Sequence, residues 1–161
     1  MKYTLKYVIQ PSIDYKEVWE VEKISLEDEV EYNFLYDTLS YVMEGIIDPD
    51  VRGKSPTGYL NNLKSGKLGD YSKRYIICAR DNEKVIGLLL ALPKGVGTLH
   101  IYTLGVIPSY RHKGVGTALI GYCLKDHVKK DISFITLDVH SDNKPALNLY
   151  YKLGFSLIKN S

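Results

Sequence analysis

The chain has 161 residues, a length that fits one domain with a single hydrophobic core. Hydrophobic residues make up 45% of it and charged residues 25%, which is typical of a globular protein and excludes a fibrous or disordered one. The net charge of +2 argues neither for nor against nucleic acid, and no apolar run approaches the roughly 20 residues that span a bilayer.

The N-terminal half begins with an aromatic and β-branched segment, residues 3–9, which predicts a strand. From residue 14 to about residue 45 the pattern is helical, and we expect two helices, the second starting near Ser25. Residues 47–70 are rich in Pro, Gly and Ser and form a long connection of the kind that often acts as a lid or binding loop. A short helix around residues 59–64 is compatible with that connection.

The C-terminal half alternates between strands and helices. We predict strands at 75–80, 84–92, 99–107, 134–140 and 155–158, and helices at 117–129 and 143–151. There is no internal repeat and no evident linker, so the prediction is one α+β domain over residues 1–161.

Charge is distributed unevenly along the chain. Residues 14–50 hold twelve acidic and two basic residues, a net charge of −10, whereas residues 51–161 carry a net charge of +10. This polarity favours a protein that binds an anion with one part and a cation with another. Solvated acidic helix faces explain residues 14–50 equally well.

The two cysteines, Cys78 and Cys123, both lie in apolar segments. The expected role there is that of a small buried thiol rather than of a disulfide. No long apolar stretch follows the charged N-terminus, so a secretory signal is not expected. Both observations favour a reducing, cytoplasmic compartment.

The pentapeptide Lys-Gly-Val-Gly-Thr occurs twice, at residues 94–98 and 113–117. The first copy separates two predicted strands, where its glycines would supply positive φ angles for a hairpin turn. The second copy follows a strand and opens a helix, whose first N–H groups are unpaired and carry the positive end of the helix dipole. Gly114 and Gly116 would let a phosphate touch the backbone, although glycine spacing alone leaves an ordinary turn open.

Two longer blocks add to this pattern. Residues 104–120 read Leu-Gly-Val-Ile-Pro-Ser-Tyr-Arg-His-Lys-Gly-Val-Gly-Thr-Ala-Leu-Ile, which resembles the acetyl-coenzyme A motif of the GCN5-related N-acetyltransferase (GNAT) superfamily. Residues 143–155 resemble the family's Asn-x-x-Ala-x-x-Leu-Tyr-x-Lys-x-Gly-Phe pattern. The resemblance implies a three-layer α/β arrangement, in which helices flank a mixed, mostly antiparallel sheet. Its fourth and fifth predicted strands would splay apart to admit the pantetheine arm.

The resemblance also implies roles in binding acetyl-CoA, with no metal. Backbone groups of Leu104 and Val106 would face the pantetheine arm, and Gly105 would form the bulge that starts the splay. Asn143 would contact the cofactor, cap its helix, or do both. The diphosphate would be held by N–H groups of Arg111, His112, Lys113, Gly114, Val115, Gly116 and Thr117.

Acyl transfer from a thioester to an amine needs a base for the amine and an acid for the departing thiolate. By its motif position Tyr150 is the candidate acid, the alternative being that it only packs its helix against the sheet. His100 is the candidate base, because it lies where histone-type members have a glutamate and because histidine titrates near neutrality. A structural histidine, Asp138 as the base, and a water relay are the alternatives.

The function predicted is direct transfer of an acetyl group to a primary amine, in a small molecule or peptide, within a ternary complex. Residues 1–70 would form the acceptor side and residues 71–161 the acetyl-CoA core, and the acidity of residues 14–50 favours a cationic acceptor. The alternative is a non-catalytic acyl-CoA sensor or interaction module. No nucleic-acid or membrane partner is expected. The few residues after Phe155 leave a homodimer and an unusually open acceptor site as alternatives.

Overall fold

The computed structural model describes residues 1–13, 16, 18–43 and 54–161. Within these residues the elements in chain order are β1 Lys2–Val8, β2 Glu20–Lys23, α1 Asp28–Val42, α2 Thr57–Lys64, β3 Tyr75–Asp81, β4 Lys84–Pro93, β5 Thr98–Val106, α3 Val115–Asp126, β6 Phe134–His140, α4 Lys144–Leu153 and β7 Ser156–Asn160. Short 3-10 turns occur at Tyr71–Lys73 and Pro108–Tyr110.

The strands form one sheet in the order β2-β3-β4-β5-β6-β1-β7. Five of the six pairings between these described strands are antiparallel, and the pairing of β5 with β6 is parallel. This arrangement confirms the predicted mixed, mostly antiparallel sheet. The N-terminal strand β1 lies between β6 and β7, and β7 is an exposed outer strand. The predicted homodimer stays a prediction.

Helices α1 and α3 cover opposite faces of this sheet. A Cβ on Gly105 of β5 would lie 2.7 Å from the Cβ of Val42 in α1. A Cβ on Gly87 of β4 would lie 3.0 Å from Val115 in α3. Gly87 pairs with Val106, and successive side chains of a strand point to opposite faces, so Gly87 and Gly105 face opposite ways. Helix, sheet and helix therefore form the three layers expected from the sequence.

Buried apolar side chains from the sheet, α1, α2 and α3 make up the core. The largest fully buried ones are Leu5, Leu35, Leu39, Leu60, Leu63, Ile77, Ile86, Leu88, Leu89, Leu90, Leu92 and Leu119. Cys78 and Cys123 are both buried and not in a disulfide, as predicted. Burial raises the pKa of the Cys78 thiol to about 11, so this side chain stays protonated at neutral pH.

The sequence prediction was wrong in the segment before α1. Residues Glu20–Lys23 form a strand that pairs with β3, with Glu20 opposite Arg80, instead of part of a helix. Helix α1 begins at Asp28, three residues after the predicted start at Ser25. The pairing with β3 is a long-range contact. It determines the conformation of this segment, although the local spacing of apolar residues is typical of a helix.

The connection over residues 47–70 lies partly outside the described residues, as do residues 14, 15, 17 and 44–46 of the predicted helical region. The described part confirms the short helix, α2. The first Lys-Gly-Val-Gly-Thr copy forms the predicted hairpin turn, with Gly95 and Gly97 at φ angles of 77° and 71°. Across the part of the chain that the structure covers, no helix is long and apolar enough to cross a membrane.

Candidate active site

A cleft opens where β5 and β6 separate. The two strands pair only from Thr98 to Ile101 on β5, opposite Phe134 to Leu137 on β6. Beyond these residues both strands continue without pairing to each other, and a cleft of about 450 Å³ lies between them. The predicted splay is confirmed. The strands involved are the fifth and sixth rather than the fourth and fifth, because β2 was not predicted.

The bulge beside the splay lies at Tyr102, not at Gly105 as predicted. Ala91 of β4 pairs with Ile101 and Leu90 pairs with Thr103, so Tyr102 is the extra residue. Gly105 pairs in regular register with Leu88. The glycine is explained instead by the close approach of α1, which leaves no room for a side chain.

The backbone of β5 directs groups into the cleft that do not pair with β6. The Ile107 N–H donates to the Ile86 carbonyl on β4. In an antiparallel pair every second residue bonds to the neighbouring strand, so Gly105 and Thr103 are the next residues of β5 that bond to β4. By the alternation of an antiparallel pair, the N–H and C=O groups of Leu104 and Val106 point the other way, toward β6. The Arg111 side chain donates to the Val106 carbonyl. A chain in extended conformation can bind the two Leu104 groups and the Val106 N–H as an added strand would.

The second Lys-Gly-Val-Gly-Thr copy opens α3, as predicted. Gly114 is the N-cap with a φ of 81°, and its carbonyl accepts the first intrahelical hydrogen bond, from the Ala118 N–H. The N–H groups of Val115, Gly116 and Thr117 therefore have no acceptor within the helix. The first turn contains no acidic side chain, so its positive dipole end is not neutralised locally.

Gly116 tests whether this helix start fits a diphosphate. A Cβ there would meet only the side chain of Leu149, at 3.5 Å, which is an ordinary contact. Packing within the protein therefore does not require glycine at position 116. An anion that lies directly against the backbone does require it, so the residues present fit a diphosphate group.

The basic side chains of this loop have different surroundings. The Arg111 guanidinium donates to the carbonyls of Val106 and Val42, at 2.9 and 3.2 Å. It thereby ties the end of α1 to the end of β5 at the cleft. His112 lines the cleft with a φ of 62°, and the Lys113 ammonium lies 5.4 Å from the ring centre of Tyr110.

Two residues of the second motif block also line the cleft. Tyr150 is 8% exposed, and burial raises the pKa of its phenol well above its usual value, so it stays protonated. The Asn143 side chain caps α4 by accepting a bond from the Ala146 N–H at 3.4 Å. Capping by Asn143 is confirmed, whereas its contact with a cofactor and the acid role of Tyr150 stay predictions.

His100 lies behind the cleft rather than on its surface. It is 2% exposed, and its Nδ1 lies 2.6 Å from the Thr136 hydroxyl. Its Nε2 lies 3.5 Å from Oδ2 of Asp138, which does line the cleft. The Thr4 hydroxyl donates to the other oxygen of Asp138 at 2.6 Å. A base role for His100 stays a prediction.

Asp138 is the single carboxylate among the described residues that line the cleft. The hydrogen bond from His100 is the largest cause that lowers its pKa, to about 2. The side chain is therefore ionised at neutral pH although it is only 35% exposed. An anion fixed in this position attracts a cationic group that enters the cleft.

The acidic residues of α1 have other surroundings. Glu31 is buried and bonds to Arg74 and Tyr71, whereas Asp28, Glu29 and Asp37 are exposed. None of these carboxylates is among the described residues that line the cleft. The placement favours solvated helix faces as the explanation for the acidity of this described helix.

Sequence reasoning did not single out Tyr59. This residue of α2 lines the cleft, and its phenol is hydrogen-bonded to the Thr103 hydroxyl on β5. It belongs to neither motif block, so the only signal was the predicted short helix. In the described ranges, no three His, Cys, Asp or Glu side chains converge to hold a metal ion.

Comparison with known proteins agrees with this geometry. A model of the Acetyltransferase (GNAT) family matches residues 46–155. An N-alpha-acetyltransferase of Sulfurisphaera tokodaii is 31% identical over 106 residues, covering 57% of this chain and 62% of that protein. An L-2,4-diaminobutyric acid acetyltransferase of Shouchella clausii is 34% identical over 89 residues, covering 54% and 50%. The chain thus spans only about half to three fifths of these relatives' lengths.

A solved structure has the same fold. The GNAT family acetyltransferase of Elizabethkingia anophelis, determined with acetyl-CoA bound, superimposes with a TM-score of 0.64 at 14% identity. The alignment covers 89% of this chain and 80% of that one. The family match extends over more than half of the chain and includes both motif blocks and the splayed strands. This chain therefore belongs to the GNAT family of acetyltransferases.

Proposed function

We propose that this protein transfers an acetyl group from acetyl-CoA to a primary amine of a small molecule or peptide. The observation that carries the proposal is the cleft itself. The backbone groups of Leu104 and the Val106 N–H border it without pairing to β6, and the start of α3 provides unpaired N–H groups beside it. The two together suit a ligand that has an extended amide arm and a diphosphate.

Each part of the site has a chemical task in this proposal. Acetyl-CoA supplies an activated thioester. The Leu104 backbone groups bind the pantetheine amides, and the N–H groups of residues 111–117 bind the diphosphate. The Val106 N–H also donates to the thioester oxygen as negative charge develops on it.

Proton transfer involves groups on both sides of the reacting carbon. The amine nitrogen forms a bond to the acetyl carbon while the carbon–sulfur bond breaks, and the Tyr150 phenol gives its proton to the thiolate. The amine loses its proton through Asp138 to solvent water, because the imidazole nitrogen of His100 that faces Asp138 already carries the N–H that bonds to this carboxylate. A carboxylate with a pKa of about 2 holds a proton poorly, so it acts here as a relay and not as a store.

The acceptor that fits the cleft best is a cationic amine. A lysine-like amine is mostly protonated at neutral pH and so carries a positive charge when it arrives. Asp138 supplies the complementary charge. The two relatives described above are named for acceptors that carry amines, which agrees with this class.

The test is an assay of the purified protein with acetyl-CoA and a panel of amines, in which release of the CoA thiol is measured. We expect turnover with polyamines, diamines or basic peptides, and mass spectrometry should detect the acetylated product. Initial rates at varied concentrations of both substrates should give intersecting reciprocal plots, as direct transfer requires. Tight CoA binding without turnover on any amine would instead favour the non-catalytic sensor.

A further inference from the structure

Trp19 contacts the glycine-rich loop from outside the cleft. It lies directly before β2, and its indole N–H donates to the carbonyl of Lys113 at 2.9 Å. The two residues are 94 positions apart in the chain. Neither motif block includes Trp19, and the sequence had assigned its region to the acceptor side of the molecule.

This hydrogen bond fixes a peptide unit of the loop. The Lys113 carbonyl and the Gly114 N–H belong to one planar trans peptide, so they point in opposite directions. With the carbonyl held by Trp19, the Gly114 N–H points away from Trp19. Gly114 has a φ of 81° and lacks a Cβ, so no side chain of its own restricts the orientation of this peptide unit.

A second contact holds Trp19 itself in place. Its ring packs edge-on against Tyr110, with ring centres 5.9 Å apart. The Tyr110 phenol donates to Asp81 at 2.6 Å, which anchors the ring to the last residue of β3. The loop carbonyl is therefore connected through Trp19 and Tyr110 to the rigid sheet.

We propose that Trp19 is a positioning residue for the diphosphate subsite, because its bond to the Lys113 carbonyl orients the Gly114 N–H toward the bound anion. The inference rests on the proposed function, since it assumes that residues 111–117 bind the diphosphate of CoA. The segment that contains Trp19 and β2 thus has two roles. The strand forms the edge of the sheet, and Trp19 orients the loop that binds the diphosphate.

The first test measures the affinity for CoA by isothermal titration calorimetry. The variant Trp19→Phe keeps an aromatic ring beside Tyr110 but removes the N–H donor. We expect its Kd for CoA to rise roughly 3- to 10-fold, the range for loss of one hydrogen bond. Pantetheine, which lacks the diphosphate, should bind the variant and the wild type equally well.

The matched control is Tyr75→Phe. The Tyr75 phenol donates to Asp126 at 2.9 Å, so this variant also removes one donor that holds α3, but at the opposite end of the helix. We expect it to lower the melting temperature while leaving the Kd for CoA unchanged. Equal effects of the two substitutions on CoA affinity, or no effect of Trp19→Phe, would overturn the inference.

A measurement on the unmodified protein covers the case in which Trp19→Phe does not fold. Trp19 is the single tryptophan of the chain, so the intrinsic tryptophan emission reports on this residue alone. Addition of CoA should change the emission saturably, with the midpoint found by calorimetry. Binding of CoA with no change in emission contradicts the role of Trp19 and leaves the proposed function intact. A wild-type protein that binds no CoA refutes the proposed function and this inference together.

Discussion

The Cβ that Gly105 lacks would lie 2.7 Å from the Cβ of Val42, the last residue of α1. The Val42 carbonyl in turn accepts a hydrogen bond from Arg111, whose side chain also bonds to Val106. Three segments therefore meet at one point beside the cleft: the end of α1, the end of β5 and the loop before α3. The absence of one side chain allows this approach.

We expect Gly105→Ala to lower the free energy of unfolding by about 1–3 kcal/mol, because the added methyl group overpacks the contact with α1. Urea denaturation measures the loss. The double variant with Val42→Gly should show a favourable coupling to Gly105→Ala, since glycine removes both the Cβ and the Cγ2 that the new methyl group meets. In the control Gly58→Ala, in α2, no atom of the described residues outside its own helix backbone lies within 4 Å of the new Cβ, and we expect stabilisation by up to about 1 kcal/mol. A neutral Gly105→Ala variant would contradict the close approach.

Gly116→Ala should separate stability from binding. Alanine is the better helix former by up to about 1 kcal/mol, and its Cβ has room against Leu149, so we expect a slightly higher melting temperature. The same methyl group would lie where the diphosphate meets the backbone, so the Kd for CoA should rise at least about 10-fold. Calorimetric titration beside thermal melts tests both directions. Unchanged affinity for CoA would show that the diphosphate does not bind against the backbone of residue 116.

Tyr150→Phe should lower kcat by about 10²-fold or more, since removal of a general acid has effects of this order. The affinity for CoA should stay within about 2-fold of wild type, because the ring keeps its packing against Phe155. Steady-state kinetics with the best amine of the panel, beside calorimetry, measures the two effects. Tyr151→Phe is the matched control, since Tyr151 is 44% exposed on the same helix. Equal kcat values for the two variants would show that Tyr150 is not the general acid.

Asp138 should make the stability of the protein depend on acidic pH. Its pKa is about 2 in the folded protein and about 3.9 when unfolded, so the unfolded state binds the proton more readily. The resulting stabilisation is present above about pH 4 and is lost as the pH falls through about 2. Between these values we expect the stability of wild type to fall more steeply than that of Asp138→Asn, as measured by urea midpoints. Parallel curves would contradict the shifted pKa.

Glu31→Ala should be among the most destabilising substitutions in α1. The buried carboxylate bonds to the Arg74 guanidinium, with Nε and Oε1 2.6 Å apart, and accepts the Tyr71 phenol. Its removal leaves a partly buried cation without this partner, for which a loss of about 3 kcal/mol is expected. Denaturant unfolding measures the loss, and Glu29→Ala, an exposed position in the same turn, should change stability by less than about 0.5 kcal/mol. Equal losses would assign no special role to the ion pair.

The cleft is the part of the molecule that the sequence predicts best. Residues 104–120 determine local backbone geometry through Gly114 and the start of α3, and such geometry depends on nearby residues. The strand Glu20–Lys23 was missed because its partner β3 lies more than 50 residues away and only Val21 among its side chains is buried. A four-residue edge strand has too few positions for alternation to be distinguished from helical spacing.

The wrong position predicted for the bulge and the unpredicted burial of His100 have a similar origin. A glycine within a strand indicates either a bulge or a close approach, and only the position of α1 decides between them. For His100, the sequence predicts the strand on which it lies but not how deeply its side chain is buried behind the cleft. The pairing of β5 with β6 places it opposite Thr136, behind Asp138, and that register is a tertiary property.

The position of β1 has a consequence for how the molecule assembles. Lys2 pairs with His140 and Tyr3 with Asn160, so strand β1 is inserted between two strands that follow it by more than 120 residues. Contacts between residues so distant in sequence form slowly, because a long chain must close on itself before they are gained. We expect the β6 wall of the cleft to acquire its final shape only after the hairpins of β3, β4 and β5 have formed.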